Sequence, residues 1–275
     1  MASINSKPKC DYLRVPGAIL YYEIRGSGPL LLMVHGGSGD AGGFDAVADL
    51  LAMNYTVVAY DRRGLSRSRL DDPKSEQTVE IQSDDAYRLL NALHAGPANV
   101  FGSSGGAVVG LDLVARHPGL VRTLVAHEPP AQYLLADAEA LKKQHDELIE
   151  VYHRDGVAPA MRKVVTELAG VVDTDSRSGT DTTVQRIKDP ANAIFLFEHE
   201  FPMFGKYRFD FAALKKTRTR IVIAGGTGKQ YPAYRSAAAI AEILGGSVAE
   251  FPGHHGGYGS HPREFAERLA EALAE

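Results

Sequence analysis

Tryptophan is missing from this 275-residue chain, and cysteine occurs once, as Cys10. A single thiol excludes an intrachain disulfide and a cysteine-based metal cluster, so an apolar core has to hold the fold. No apolar run approaches membrane-spanning length. Met1 to Asp11 is polar and carries no apolar stretch of the kind that marks a secretory leader. Neither sign of charge is in large excess. Thirty Lys and Arg against 34 Asp and Glu leave a net charge of -4, which gives no reason to expect nucleic acid or an anionic membrane as partner. These absences point to a cytoplasmic protein, monomeric or homodimeric, that acts on a small molecule. What is present is an ordinary globular mixture, 44% hydrophobic and 23% charged, long enough for one large α/β domain with an insertion.

The order of apolar segments gives the architecture. Tyr12–Val15 and Ile19–Ile24 read as a hairpin around Pro16-Gly17. Leu30–Val34 is an unbroken apolar run, as expected for a strand covered on both faces. Phe44, Val47, Ala48 and Leu51 recur at helical spacing, and Tyr55–Tyr60 is another strand. A helix from Thr78 to His94 is stopped by Gly96. A strand at Ala98–Phe101 then leads into Gly102-Ser103-Ser104-Gly105-Gly106, and a buried helix follows up to Arg116-His117-Pro118-Gly119. Leu120–Ala126 is the next strand. The strand signal stops from Ala131 to Tyr207, where helical faces such as Leu141, His145, Leu148 and Tyr152, or Met161, Val164, Val165 and Leu168, take over. Residues 172–183 are polar and loop-like. Strands return at Ile221–Ala224 and Ser247–Phe251, separated by a helix at Ser236–Leu244, and a last helix starts near Pro262. Strand and helix alternation of this kind predicts a mostly parallel sheet with helices on both faces. Its core spans 1–130 and 208–275, and a helical cap spans 131–207.

Function collects at the carboxyl ends of parallel strands. Here those ends read His35-Gly36-Gly37, Asp61-Arg62, Ser104 and His127-Glu128. The segment around Ser104 fits Gly-x-Ser-x-Gly between a strand and a helix. In that context the small residues permit a strained turn, which exposes the hydroxyl and sets the Gly105 N–H at a helix N-terminus. A serine hydroxyl becomes a useful nucleophile when an imidazole takes its proton. His254 and His255 are adjacent candidates in the loop after Pro252-Gly253.

The set His35-Gly36-Gly37, Asp61-Arg62-Arg63-Gly64, Gly102 to Gly106 and Pro252-Gly253-His254-His255 ahead of His261-Pro262 resembles the α/β-hydrolase superfamily. That resemblance implies Ser104 as nucleophile, the N–H groups of Gly37 and Gly105 as oxyanion donors, and a last-loop histidine, by the family pattern His255, as base. The chain departs from the commonest pattern at the acid. After Ile221–Ala224 it has Gly225-Gly226-Thr227-Gly228-Lys229-Gln230, with no carboxylate before Glu242. Either an acid is lacking or another strand end supplies one, and Glu128 is available. Gly102-Ser103-Ser104-Gly105-Gly106, His127-Glu128-Pro129 and Phe251-Pro252-Gly253-His254-His255 with Ser260-His261-Pro262 are more closely similar to zearalenone-type lactone hydrolases. That likeness implies a triad of Ser104, Glu128 and His255.

The expectation is therefore a cofactor-free serine hydrolase that cleaves an ester or lactone. Carbon–carbon bond hydrolysis or acyl transfer on the same triad are alternatives, as is a ligand-binding receptor on the same fold. Haloalkane dehalogenase and epoxide hydrolase chemistry is disfavoured, because Ser104 stands where those families carry aspartate and there is no Trp to hold halide. Tyr133, Leu135, Tyr152, Met161, Phe195, Phe201 and Met203 are the cap residues expected to meet a hydrophobic or aromatic substrate. No metal site is expected. Glu198-His199-Glu200 reads as a solvated helix face, His35 and Asp61-Arg62 as structural, Ser66 and Ser68 as turn residues, and His94 and His117 as helix caps.

Overall fold

Each apolar run becomes a strand whose successive side chains enter opposite cores. The computed structural model describes residues 7–94, 96–168 and 189–274. The polar run 172–183 and the first six residues lie outside them. The strands are β1 (Lys9–Val15), β2 (Ala18–Arg25), β3 (Leu30–Val34), β4 (Thr56–Tyr60), β5 (Arg69–Leu70), β6 (Ala98–Ser103), β7 (Val121–His127), β8 (Arg220–Gly225) and β9 (Ala249–Glu250). Their order across the sheet is β1-β2-β4-β3-β6-β7-β8-β9, with β5 on β2. From β4 to β9 neighbours run parallel, while β1 and β2 are antiparallel to each other and β2 to β4. All the parallel strands thus present their carboxyl ends at one edge.

Period-two alternation divides the burial. Leu32, Val34, Val58, Val100, Leu124 and Ile223 pack on one face, under helices that include α2 (Val79–Ala92) and α3 (Gly105–Arg116). Leu31, Met33, Val57, Ala59, Phe101 and Val125 pack on the other, under α1 (Asp45–Leu51) and the helix Pro262–Ala274. The last helix buries Phe265 and Leu269, as their spacing predicts. Thr78 caps α2 by accepting the Ile81 N–H at 3.2 Å.

The structure refines several expectations. The helix expected from Ser236 begins at Pro232, because proline is well placed in a first turn after extended Tyr231. The strand expected over 247–251 pairs only at Ala249–Glu250. A short helix Phe211–Lys216, capped by Asp210 through the Ala213 N–H, had no periodic signal long enough to show. His117 is the C-cap of α3, as expected, but through its backbone N–H, which donates to Leu113 O at 2.9 Å; its ring stacks on Tyr87, with centroids 4.0 Å apart. Between β7 and β8 the described insertion comprises Ala138–Asp155, Val157–Lys163 with a π-helical turn over 164–168, then Pro190–Phe195, a π-helical turn Leu196–Glu200, and Phe201–Lys206. Leu148, Ala160, Met161, Ala193 and Phe197 form a separate small core there. No helix among the described residues is long and apolar enough to cross a membrane.

Candidate active site

Ser104 sits between β6 and α3 at φ 54, ψ -122. That backbone is costly for a residue with a side chain, and the crossing around it explains how it is kept. A Cβ on Gly106 would lie 2.0 Å from Val34 O, and one on Gly102 would lie 2.4 Å from Gly106 O. Only glycine lets α3 leave this close to β3. The Ser104 N–H donates to His127 O at 2.8 Å, which ties the turn to the end of β7. Gly105 opens α3, so its N–H is among those left without an intrahelical acceptor.

Glu128 directly follows β7 at φ 50, and its N–H extends the ladder to Ala224 O at 2.9 Å. This turn sends the carboxylate across to the end of β8. There Oε1 accepts the Gly226 N–H at 2.8 Å, and Oε2 lies 2.5 Å from His255 Nδ1. The glycine loop that lacks an acid thus holds the acid of its neighbour. Burial pushes the Glu128 carboxyl up, but the hydrogen bond and charge of His255, then His127 and the Gly226 N–H, outweigh it and hold the group down at about 2. His254 faces away from this contact, with Nδ1 3.5 Å from Thr227 Oγ1. His127 is fully buried against Phe101, Phe251 and Phe265, and burial lowers it to about 4.

The loop after β3 is held from beneath. His35 Nδ1 meets Gly36 O at 2.8 Å, and Nε2 meets the Arg62 N–H at 3.1 Å. This pairing makes Nδ1 the protonated nitrogen. Arg62 Nε donates to His35 O at 3.0 Å and Nη2 to Gly36 O at 2.8 Å. Asp61 accepts from the Ala41 N–H and from Arg67, locking two further loops. Ser68 is more than a turn residue, since its buried hydroxyl bridges Tyr21 N–H and Asp61 O.

Glu200 overturns the reading of 198–200 as a solvated face. It is fully buried and forms an ion pair with the equally buried Arg62. Its other oxygen accepts the Ser38 N–H at 2.9 Å. The π-helical turn there carries position 200 inward, while Glu198 stays outside on the Tyr152 hydroxyl. Asn192, also buried, grips Ser66 and Gly39 O from the same segment.

A cavity of about 1000 Å3 opens between the sheet edge and the insertion. Ser104, Glu128, His255, Gly37 and Gly105 all line it. Of the insertion residues expected at substrate, Tyr133, Met161 and Phe201 line it. The other four are occupied elsewhere. Leu135 ends the turn Gln132–Leu134, Tyr152 stacks on Phe197, Phe195 packs on Gly64 and His199, and Met203 is buried beside Gln82. Leu196 and Phe204 line the cavity instead, pressed against Gly37 and Gly105. The Leu196, Glu200, Phe204 spacing of four was a signal for that face. Three cations also reach the wall: Lys142, paired with Asp146, Lys206, and Arg208, whose guanidinium lies over Tyr133.

Three comparisons bear on this arrangement. A family model described as alpha/beta hydrolase fold matches residues 29–197. An uncharacterized hydrolase of Bacillus subtilis, YraK, is 43% identical over 267 residues, covering 95% of this chain and 94% of that protein. A zearalenone hydrolase from Bionectria ochroleuca is 33% identical over 121 residues, 43% of this chain and 46% of that one. The solved enol-lactonase from Burkholderia xenovorans LB400 shares the fold, with a TM-score of 0.75 at 18% identity over 96% of this chain and 100% of its own.

Proposed function

The chain belongs to the α/β-hydrolase family, and on that premise we propose that it is a serine hydrolase cleaving a carboxylic ester or lactone through an acyl-enzyme. The contact between Glu128 and His255, opening on the same cavity as Ser104 in its strained turn, carries this reading. In the proposed reaction Ser104 Oγ attacks the carbonyl carbon while His255 Nε2 takes its proton. Glu128 keeps the other imidazole proton on Nδ1 and offsets the charge that develops. The N–H groups of Gly37 and Gly105 receive the oxyanion. The intermediate collapses as the alkoxide leaves and takes the proton from His255. Water then enters, gives a proton to His255, and hydrolyses the acyl group, and the proton returns to Ser104. The chemistry is complete in three side chains and two backbone donors, and it needs no cofactor.

The apolar wall formed by Met161, Val164, Leu196, Phe201 and Phe204 supports a hydrophobic or aromatic substrate. The partial likeness to zearalenone hydrolases favours including lactones, whose alcohol would stay attached after ring opening. Turnover of p-nitrophenyl esters and aryl lactones by wild type and Ser104→Ala tests the proposal. The expected outcome is a burst in wild type and a loss of at least about 10³-fold in the variant. Undiminished turnover in Ser104→Ala would overturn it. So would a wild type that neither turns over nor takes a fluorophosphonate label at Ser104, which would favour a ligand-binding protein.

A further inference from the structure

Glu200 comes from the helical insertion yet engages both peptide groups flanking Gly37, one directly and the other through Arg62. Oε2 accepts the Ser38 N–H at 2.9 Å, and Oε1 pairs with Arg62 Nη2. That same nitrogen donates to Gly36 O at 2.8 Å. A peptide unit is planar and trans, so Gly36 C=O and Gly37 N–H lie on one rigid plate and point opposite ways. Holding the carbonyl therefore aims the N–H. The next plate is held by its own N–H, that of Ser38, whose φ of 54 is a backbone a non-glycine residue keeps only where its surroundings fix it.

The neighbours of Glu200 complete a roof. A Cβ on Gly37 would lie 2.7 Å from Leu196 Cδ1, and one on Gly105 would lie 2.4 Å from the Phe204 ring. Both proposed oxyanion donors thus sit beneath one stretch of the insertion, with Glu200 between the two covering side chains. Accepting the triad and donors set out above, we propose that Glu200 is a positioning residue for catalysis, which through Ser38 and Arg62 aims the Gly37 N–H at the oxyanion. The insertion is then part of the catalytic apparatus as well as the wall that selects substrate.

A pair that merely fastens the insertion to the core predicts something different, and a double variant separates the two. Arg62→Met with Glu200→Leu replaces a buried ion pair by apolar side chains, an exchange that often leaves stability unchanged or improved. The measurements are the melting midpoint, kcat and KM on an aryl ester, and affinity for a trifluoromethyl ketone that forms a tetrahedral adduct on Ser104. The double variant should stay folded, its midpoint lowered by the His35, Gly36 and Gln82 oxygens that lose their Arg62 donor, with kcat lower by about 10- to 100-fold, since a misaimed donor forfeits part of what a whole one supplies. KM should stay within about threefold, and affinity for the ketone should fall in step with kcat. Glu200→Asp, which keeps the charge and shortens the reach, should move the same way and serves if the double variant does not fold. A folded variant with wild-type kcat and ketone affinity would overturn the proposal, as would a loss confined to KM. An inert wild type, seen before any change at position 200, would instead bring down the triad reading beneath it.

Discussion

His127 and Glu128 are consecutive and both buried, yet one is neutral and the other charged. His127 lies in an aromatic nest that lowers it to about 4, so it is neutral near pH 7. Glu128, held down at about 2, is charged there. The difference comes from one backbone angle: at φ 50 the chain turns Glu128 onto the Gly226 N–H and the His255 ring, while His127 still points as a strand residue does. Glu128→Gln should therefore keep the fold and lose the orientation of His255, the proposed base. The expected result is a fall in kcat of about 10²-fold or more with a melting midpoint within a few degrees of wild type, read by steady-state kinetics and calorimetry. Near-normal turnover would remove Glu128 from the proposed triad. A change at the supporting loop makes the same point from the other side. A Cβ at position 226 would lie 2.4 Å from Gly253 O, so Gly226→Ala should displace the loop that carries His255 and lower kcat with little change in the far-UV spectrum.

The crossing of β3, β6 and α3 is the element on which the site depends. Gly106→Ala would put a methyl group 2.0 Å from a strand carbonyl that cannot move, and should cost about 3 kcal/mol in urea unfolding. Gly110→Ala in the same helix would meet only the end of the Leu124 side chain, at 2.8 Å, and should cost clearly less. This part of the molecule was legible in the sequence because its causes are local: apolar runs, a glycine-flanked serine, a proline at Pro262. The proposed acid was half legible. An empty loop at 225–230 and a free Glu128 at the adjacent strand end were visible, but the φ that joins them was not. Glu200 was hidden, since its partner lies 138 residues away and a π-helical turn shifts the face on which it falls. Tyr152 and Phe195 misled for a related reason: an aromatic on an inserted helix packs within the insertion, as Tyr152 does on Phe197, or down onto the sheet domain, as Phe195 does on Gly64, as readily as it meets substrate.

At the scale of the whole molecule, two buried imidazoles set how acid unfolds it. Burial and the charge of Arg62 lower His35 to about 3, and burial lowers His127 to about 4, both from 6.5. The unfolded chain therefore binds two protons that the folded chain refuses, and stability falls as pH falls below about 6.5. The slope approaches its two-proton limit, roughly 3 kcal/mol per pH unit, between about pH 6 and pH 5 and eases as pH nears the folded value of His127. The loss from His127 is complete near pH 4 and that from His35 near pH 3. Glu128 adds to it lower down, because the stability gained above its unfolded value of 4.5 disappears as pH drops toward about 2. Urea unfolding from pH 7 to pH 4.5 should show this slope, and His127→Phe should remove about half of it. The Arg62–Glu200 pair has a different consequence, for recombination. Exchanging the insertion with that of a relative is an attractive way to retarget the core, but here the two parts are not separable modules. A graft without an acid at position 200 strands a buried guanidinium at the end of β4, so any working chimera has to change position 62 along with the insertion it imports.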